Sequence, residues 1–140
     1  MGMFFYDISD DGLIKIANTT DVDNVCHGWE GIICDGEQVQ EIRFHHFVHG
    51  DFNICALPPS VMILHISNCK QKFELSTRSL PRNLIGIYLN SNDVYGRIDL
   101  TTLPIRLKDA LFRENALTGP IDFTRLPKSL RNIDLSKNNI

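Results

Sequence analysis

The sequence has no hydrophobic run long enough to cross a bilayer. Its longest uninterrupted run of aliphatic residues and methionine, Val61 to Leu64, is far shorter than the roughly 20 residues that a membrane helix needs. The apolar start, Met1 to Tyr6, has no basic flank and is followed by Asp7, so we expect no signal peptide in this chain. The formal net charge of −3 gives no excess of basic residues. We therefore expect neither membrane insertion by this segment nor nucleic-acid binding.

The sequence also lacks the local motifs of common catalytic and cofactor sites. It has no nucleophile elbow, no glycine-rich phosphate loop and no HExxH pair. Its Ser, His and Asp residues show no spacing that suggests a triad. We therefore expect a non-catalytic protein without a cofactor.

One histidine cluster, His45, His46 and His49, suggests a metal site. In a regular strand, neighbouring side chains point to opposite faces, so His45 and His46 should not share one ion. The cluster also has no acidic or cysteine partner at a fixed spacing. We expect no metal, and a metal-binding or hydrolytic protein that uses these histidines and His65 remains an alternative.

A Leu-Pro pair recurs along the chain at a constant interval of 23 residues. It begins at Leu57, Leu80, Leu103 and Leu126. A fixed period in the twenties is the signature of a solenoid, in which each repeat is one coil stacked on the next. The repeat therefore predicts the fold more firmly than any single motif does.

Within each repeat, apolar residues two apart predict a short strand with one buried face, as in Ile87 and Leu89. An asparagine follows three positions later, although Asn is poor in strands. Its amide can bond backbone groups of its own and the neighbouring coil, which a tight turn would leave unpaired. We expect a structural ladder along this column, which consists of Cys69, Asn92, Asn115 and Asn138.

The pattern LxxLxLxxNxLxGxI resembles the leucine-rich repeat family over roughly residues 35 to 140, and its LxGxI half resembles the plant-type subclass. The resemblance implies an α/β leucine-rich repeat solenoid, a right-handed superhelix. Short parallel strands would form its concave face, and loops or 3₁₀ turns its convex face. Residues 35–140 would hold about four and a half units. Because the fifth unit stops at Ile140 without its second half, we expect a fragment of a longer protein.

Residues 1–34 are expected to form an N-terminal cap, because a solenoid would otherwise expose the core of its first coil. Ser9 can cap a short helix there. The segment from Cys26 to Cys34 resembles the CxWxGxxC cap of plant-type repeats, with one extra residue before Trp29. The resemblance implies a disulfide between Cys26 and Cys34. It favours an extracellular or cell-surface protein; an intracellular scaffold with reduced cysteines remains the alternative.

The strand positions that point away from the core vary from coil to coil, as a binding surface on a constant scaffold would. The three columns are Glu41, Ile63, Gly86, Asp109 and Asn132; Arg43, His65, Tyr88, Leu111 and Asp134; and His45, Ser67, Asn90, Arg113 and Ser136. For each residue alone, a solvated strand position is the better explanation. As a set they predict recognition of a protein or peptide. The candidate ligand-binding residues are Arg43, His45, His65, Tyr88, Asn90, Arg113 and Asp134.

The predicted face is small. Five strands about 4.8 Å apart, each about 16 Å long, give roughly 300–350 Å² in plan. A standard protein partner covers about 800 Å² per side. This length of solenoid should therefore bind a partner weakly, or bind a peptide or a small molecule.

Overall fold

In the computed structural model, which describes all residues from Met1 to Ile140, the chain forms a β-solenoid of about four turns with little helix. In chain order the strands are β1 (Asp7–Ile8), β2 (Ile32–Asp35), β3 (Gln38–His45), β4 (Gly50–Asp51), β5 (Ile63–Ser67), β6 (Gly86–Tyr88), β7 (Tyr95–Arg97), β8 (Asp109–Leu111), β9 (Ala116–Thr118) and β10 (Asn132–Asp134). The helices are α1 (Asp10–Ile16) and three 3₁₀ helices, Ile54–Ala56, Thr77–Ser79 and Leu100–Thr102.

A six-stranded sheet runs along one side of the solenoid in the order β10-β8-β6-β5-β3-β2. All neighbours are parallel except β2, which returns antiparallel beside β3. Glu41 pairs with Ile63, Ile63 with Gly86, Gly86 with Asp109, and Asp109 with Asn132. One turn therefore takes 22 residues at the first step and 23 at each later step. The predicted solenoid and its period are confirmed.

The sheet buries one face because apolar residues stack in register from coil to coil. Ile42, Leu64, Ile87 and Ala110 are paired in that order and are fully buried, and Ile133 continues the row at the last strand. Each strand contributes its alternate residues to this core, which is the period of two that the sequence showed. Burial of the stack is the main stabilising contribution of the sheet.

A turn that contains the Leu-Pro pair precedes the strand of each repeat. Leu57, Leu80 and Leu103 each end a 3₁₀ helix, and the proline after each leucine begins a turn. In every copy the proline carbonyl accepts the N–H three residues on, in Val61, Leu84, Leu107 and Leu130. Proline suits this place because it cannot continue the helix that precedes it. The Leu-Pro pairs thus mark the corner where each coil turns toward its strand.

A second, two-stranded parallel sheet, β7 with β9, follows the ladder column. Isolated bridges extend it in both directions, from Glu74 to Tyr95 and from Thr118 to Asn139. No helix of the protein has the length and apolar character required to cross a membrane, and α1 has only seven residues.

The N-terminal residues are tied to the first coil by short antiparallel pairings. β1 pairs with β4, and β2 forms an antiparallel hairpin with β3. β2 itself crosses the predicted boundary between residues 34 and 35. The predicted short helix is present as α1, with the Ser9 hydroxyl accepting the Gly12 N–H at 3.2 Å. The division of the chain at residue 34 remains a prediction.

A cluster of aromatic rings, which no motif of the sequence predicts, closes the N-terminal end of the core. Phe4 stacks on Phe52 with ring centres 5.1 Å apart, and Phe52 stacks on Phe44 at 4.7 Å. Phe5 lies against Trp29 at 5.2 Å. The first residues of the chain therefore act as part of the cap, since Phe4 and Phe5 are buried.

The predicted disulfide between Cys26 and Cys34 is confirmed, while Cys55 and Cys69 are free thiols. Replacing both bonded cysteines with serine should lower the free energy of unfolding by about 2.5 kcal/mol, through the extra entropy of the unfolded chain. Urea denaturation measures the change. Cys55→Ser, at an exposed free thiol, is the control and should have little effect. Titration of four thiols in unreduced, denatured protein, instead of two, would contradict the bond.

His27, beside the disulfide, lies between two carboxylates. Its Nδ1 is 2.5 Å from Asp21 and its Nε2 is 3.2 Å from Glu37. Asn24 donates to the other Glu37 oxygen at 2.8 Å. Hydrogen bonds to Asp21 first, and then to Glu37, raise the pKa of His27 above its ordinary value. Bonds from Asn24 and His27 lower the pKa of Glu37.

The stabilisation from this pairing should decrease at alkaline pH. Because the folded state binds the His27 proton more tightly than the unfolded chain, the contribution is complete below about pH 6.5 and is lost as the pH rises through the raised folded pKa. The difference in unfolding free energy between wild type and His27→Gln should therefore shrink between about pH 6 and pH 9.

Lys15→Gln is the matched control for the histidine variant, since it replaces an exposed basic side chain outside the pairing with the same residue. Urea denaturation at both pH values measures each difference. A His27→Gln difference that stays constant, like that of the lysine variant, would mean that the pairing does not stabilise the fold.

Candidate binding site on the solvent face of the sheet

The solvent face of the sheet, as we use the term, comprises three residues from each coil that lie opposite the core. They are Glu41, Arg43 and His45; Ile63, His65 and Ser67; Gly86, Tyr88 and Asn90; Asp109, Leu111 and Arg113; and Asn132, Asp134 and Ser136. Parallel pairing places equivalent residues of successive coils about 4.8 Å apart. Side chains that are 23 residues apart in sequence therefore become neighbours.

A row of side chains crosses four coils of this face. The Tyr88 hydroxyl donates to Asp109 at 2.8 Å, and the amide of Asn132 donates to the other Asp109 oxygen at 2.6 Å. The Tyr88 ring lies beside the His65 ring, with ring centres 5.2 Å apart. The row thus fixes the positions of four side chains through contacts between coils.

The row has a defined charge state at neutral pH. Hydrogen bonds from Asn132 and Tyr88 lower the pKa of Asp109, so its carboxylate is ionised. Burial, followed by the bond to Asp109, raises the pKa of Tyr88, so the phenol keeps its proton. Burial, followed by the nearby charges of Arg43 and His45, lowers the pKa of His65, so its ring is neutral. The row therefore carries both a carboxylate and a neutral imidazole, with Tyr88 between them.

Two arginines flank this row with donors to spare. Arg43 is exposed and uses only its Nε, which donates to Glu41 at 2.8 Å. Arg113 is exposed and its guanidinium makes no hydrogen bond or ion pair. Both guanidinium groups are therefore free to bind a carboxylate or a backbone carbonyl of a partner.

Among the other predicted site residues, Asn90 and Asp134 bond to backbone groups of the solenoid. The Asn90 side chain accepts the Arg113 backbone N–H at 2.9 Å, so it holds the neighbouring coil. The Asp134 carboxylate accepts the hydroxyl and the backbone N–H of Ser136. These bonds lower the pKa of Asp134. His45 is exposed at the edge of the face.

Gly86 was expected on the exposed face, but it is buried. A Cβ atom at this position would lie 2.7 Å from Cε2 of Tyr88 and 3.0 Å from its hydroxyl oxygen. The tyrosine ring therefore covers the glycine, and only the absence of a side chain leaves room for it. A glycine inside a strand is the sequence signal for such a close approach.

Ser67, also expected on the exposed face, is 5% exposed, and its hydroxyl oxygen has no hydrogen-bond partner. It is a short side chain paired with His45 on one side, with Asn90 at the equivalent place on the other. We attribute its burial to these longer neighbours. The prediction of an accessible column is therefore wrong at Gly86 and Ser67.

The expectation that His45 and His46 point to opposite faces is also wrong. Their rings are 4.0 Å apart, because His46 leaves the strand with a positive φ of 53°. His49 instead packs on Phe47, and His65 packs on Tyr88. No three His, Cys, Asp or Glu side chains are arranged to hold a metal ion.

Behind the solvent face, the asparagine column forms a hydrogen-bonded ladder. The Asn115 amide donates to Phe112 O of its own coil and to Leu89 O of the preceding coil, at 3.0 and 2.9 Å. Its oxygen accepts Val94 N–H at 3.0 Å. Asn92 and Asn138 repeat the same arrangement one coil earlier and one coil later. Each ladder asparagine thus joins two coils.

Cys69 completes the ladder less fully, because a thiol has one weak donor and a weak acceptor. It donates to Ser67 O and accepts Phe47 N–H. Gln71, two residues later, is fully buried and supplies the missing bonds. Its amide donates to Gly50 O at 2.9 Å and its oxygen accepts Phe52 N–H at 2.8 Å. The equivalent residues of the next two coils, Val94 and Leu117, are apolar.

One residue in each coil, just before the ladder position or its equivalent, has a left-handed backbone. We call this set the left-handed column: His46, Asn68, Ser91, Glu114 and Lys137, with φ between 53° and 61°. None is glycine, although glycine adopts this conformation without steric cost. The backbone turn that precedes the ladder is therefore the same in every coil.

In comparisons with known proteins, no protein-family model matches this chain, and no curated protein matches it.

Proposed function

We propose that this chain is a plant-type leucine-rich repeat module that recognises a protein or peptide segment on the solvent face of its sheet. The 23-residue coils, the ladder of asparagines and the Leu-Pro corners support the family assignment. The Cys26–Cys34 disulfide supports an oxidising environment, so we propose a secreted or cell-surface, receptor-like or adhesive role.

The observation that carries the binding proposal is the row from His65 through Tyr88 and Asp109 to Asn132. Contacts between coils already hold these side chains in one geometry. Binding of a partner therefore costs little side-chain entropy at these four residues. Tyrosine and arginine are also the residues that most often dominate binding energy, and Arg43 and Arg113 flank the row.

The chemistry of the face suits an extended peptide that carries both an acidic and a polar group. The Arg113 guanidinium and the unbonded donors of Arg43 would bind carboxylates of the peptide. The Asp109 carboxylate would accept a backbone or side-chain donor. The small area of the face favours a peptide of a few residues over a folded protein surface.

A peptide selection tests this proposal. A displayed library of random 12-residue peptides is selected on the wild-type protein, and enriched peptides are measured by calorimetry. The double variant Arg43→Ala/Arg113→Ala should weaken their binding about tenfold or more, because each charged hydrogen bond contributes about 1.5–3 kcal/mol.

The matched control is Arg78→Ala/Arg106→Ala, which removes the same charge from exposed positions away from the sheet. It should change the affinity less than about twofold. Equal losses in the two double variants, or enriched peptides that depend on neither, would contradict recognition by the solvent face.

A further inference from the structure

A cavity lies away from the sheet face, between the N-terminal residues and the first coil. Its volume is about 730 Å³, and it opens to solvent. Its walls come from the first six residues, the loop before Cys26, the start of β3 and the turn at residues 58–60. We call it the cap cavity. Its size is within the range of small-molecule sites.

The inner wall of the cap cavity is apolar and aromatic. Phe5 and Trp29 lie against each other with ring centres 5.2 Å apart, and both are buried. The indole N–H of Trp29 donates to the Asp21 carbonyl at 3.4 Å. Val25 and Val39 line the same wall. The aromatic surface is therefore held in place by the packing of the cap.

Both charged side chains that line the cap cavity, those of Asp23 and Glu37, are acidic. Met1, which carries the α-amino group, also lines the cavity. Glu37 is partly neutralised, because it accepts bonds from Asn24 and contacts His27. The Asp23 carboxylate makes no hydrogen bond or ion pair. An unpaired carboxylate thus stands at the edge of an apolar, aromatic wall.

We propose that the cap cavity binds a small organic cation with an apolar body, such as an aryl-alkyl amine. The body would be buried against Phe5, Val25 and Trp29, and the ammonium group would pair with Asp23. The Asp23 carboxylate would repel an anion of the same shape. The cap cavity is separate from the solvent face of the sheet.

Trp29 is the only tryptophan of the chain, so intrinsic fluorescence reports directly on this cavity. The probes are 4-phenylbutylamine and, as its anionic counterpart, 4-phenylbutanoate. The amine should give a saturable change in Trp29 fluorescence, with an affinity about tenfold or more above that of the carboxylate. No saturable change with the amine at millimolar concentration, by fluorescence and by calorimetry, would overturn the proposal, as would equal affinities.

Two pairs of variants locate the binding. Asp23→Asn should reduce the affinity for the amine about fivefold, whereas Asp93→Asn, at an exposed aspartate outside the cavity, should leave it unchanged. Val22→Lys adds a positive charge at the rim and should reduce amine binding further. Ile14→Lys makes the same exposed apolar-to-lysine change outside the cavity and should not.

Equal effects within either pair would overturn the cap cavity as the binding site. The variant Arg43→Ala/Arg113→Ala distinguishes amine binding in the cap cavity from peptide binding on the solvent face of the sheet. It should lose peptide binding and keep amine binding, and loss of amine binding in that variant would also count against the cap cavity.

Discussion

Replacing Gln71 with leucine should lower the free energy of unfolding by about 3 kcal/mol, although leucine restores the repeat pattern. The equivalent positions in the next two coils are Val94 and Leu117, which are fully buried. A reading of the repeat alone would therefore expect leucine at position 71 to be neutral or stabilising.

The loss follows from the bonds that only an amide can make at this position. Gln71 accepts the Phe52 N–H and donates to the carbonyls of Gly50 and Cys69. Leucine would keep the volume and leave these buried backbone groups without partners. Each unsatisfied buried group costs about 1–3 kcal/mol.

Urea denaturation of wild type and Gln71→Leu measures this effect, and Gln38→Leu is the control. Gln38 is exposed on β3, so the same chemical change there should stay within about 0.5 kcal/mol. A Gln71→Leu variant as stable as wild type would mean that the backbone around Phe52 finds other partners.

The second large effect is expected at Asn92, the most buried asparagine of the ladder. Asn92→Ala should lower the free energy of unfolding by about 3–4 kcal/mol, because it leaves the N–H groups of Cys69 and Gln71 and the carbonyl of Ile66 unsatisfied. Asn92 is 8% exposed, so water reaches these groups poorly.

The ladder should show a gradient when its members are compared. Asn115→Ala should cost about 1–3 kcal/mol, because its bonds are partly exposed. Ser136→Ala, on the exposed face, should stay within about 0.5 kcal/mol. The same denaturation series measures all three variants, and equal effects would show that the ladder does not hold the coils together.

The repeat made the sheet and its register predictable from the sequence alone. A constant interval of 23 residues places equivalent residues side by side, so the burial of Leu64 and Ile87 followed from their column alone. The cap disulfide was predictable by resemblance, because the spacing around Trp29 is distinctive. Features that repeat, or that match a known motif, were thus within reach of the sequence.

Features that occur once were not predictable in this way. The burial of Phe4 and Phe5 depends on contacts with Trp29 and Phe52, which no local pattern specifies. The role of Gln71 arises only because Cys69 is a poor hydrogen-bonding partner for the coil before it.

On the solvent face, the columns were assigned correctly by period, but their accessibility was not. Tyr88 covers Gly86 because its ring turns toward Asp109, a partner 21 residues away in sequence. His46 meets His45 because its backbone is left-handed, which the period of a strand does not reveal. The exposure of these residues therefore depends on the direction of side chains at the ends of strands, which the repeat pattern does not predict.

The left-handed column has a consequence for how this protein can evolve. Because the same turn is made with five different side chains, its geometry does not depend on any one of them. The Ser91 hydroxyl donates to Glu114 at 3.2 Å, so neighbouring members lie within reach of each other along the edge of the sheet. Mutations there can change the chemistry of this edge while the core and the ladder stay untouched. The solenoid thus carries a row of positions at which new specificities can be acquired in single steps.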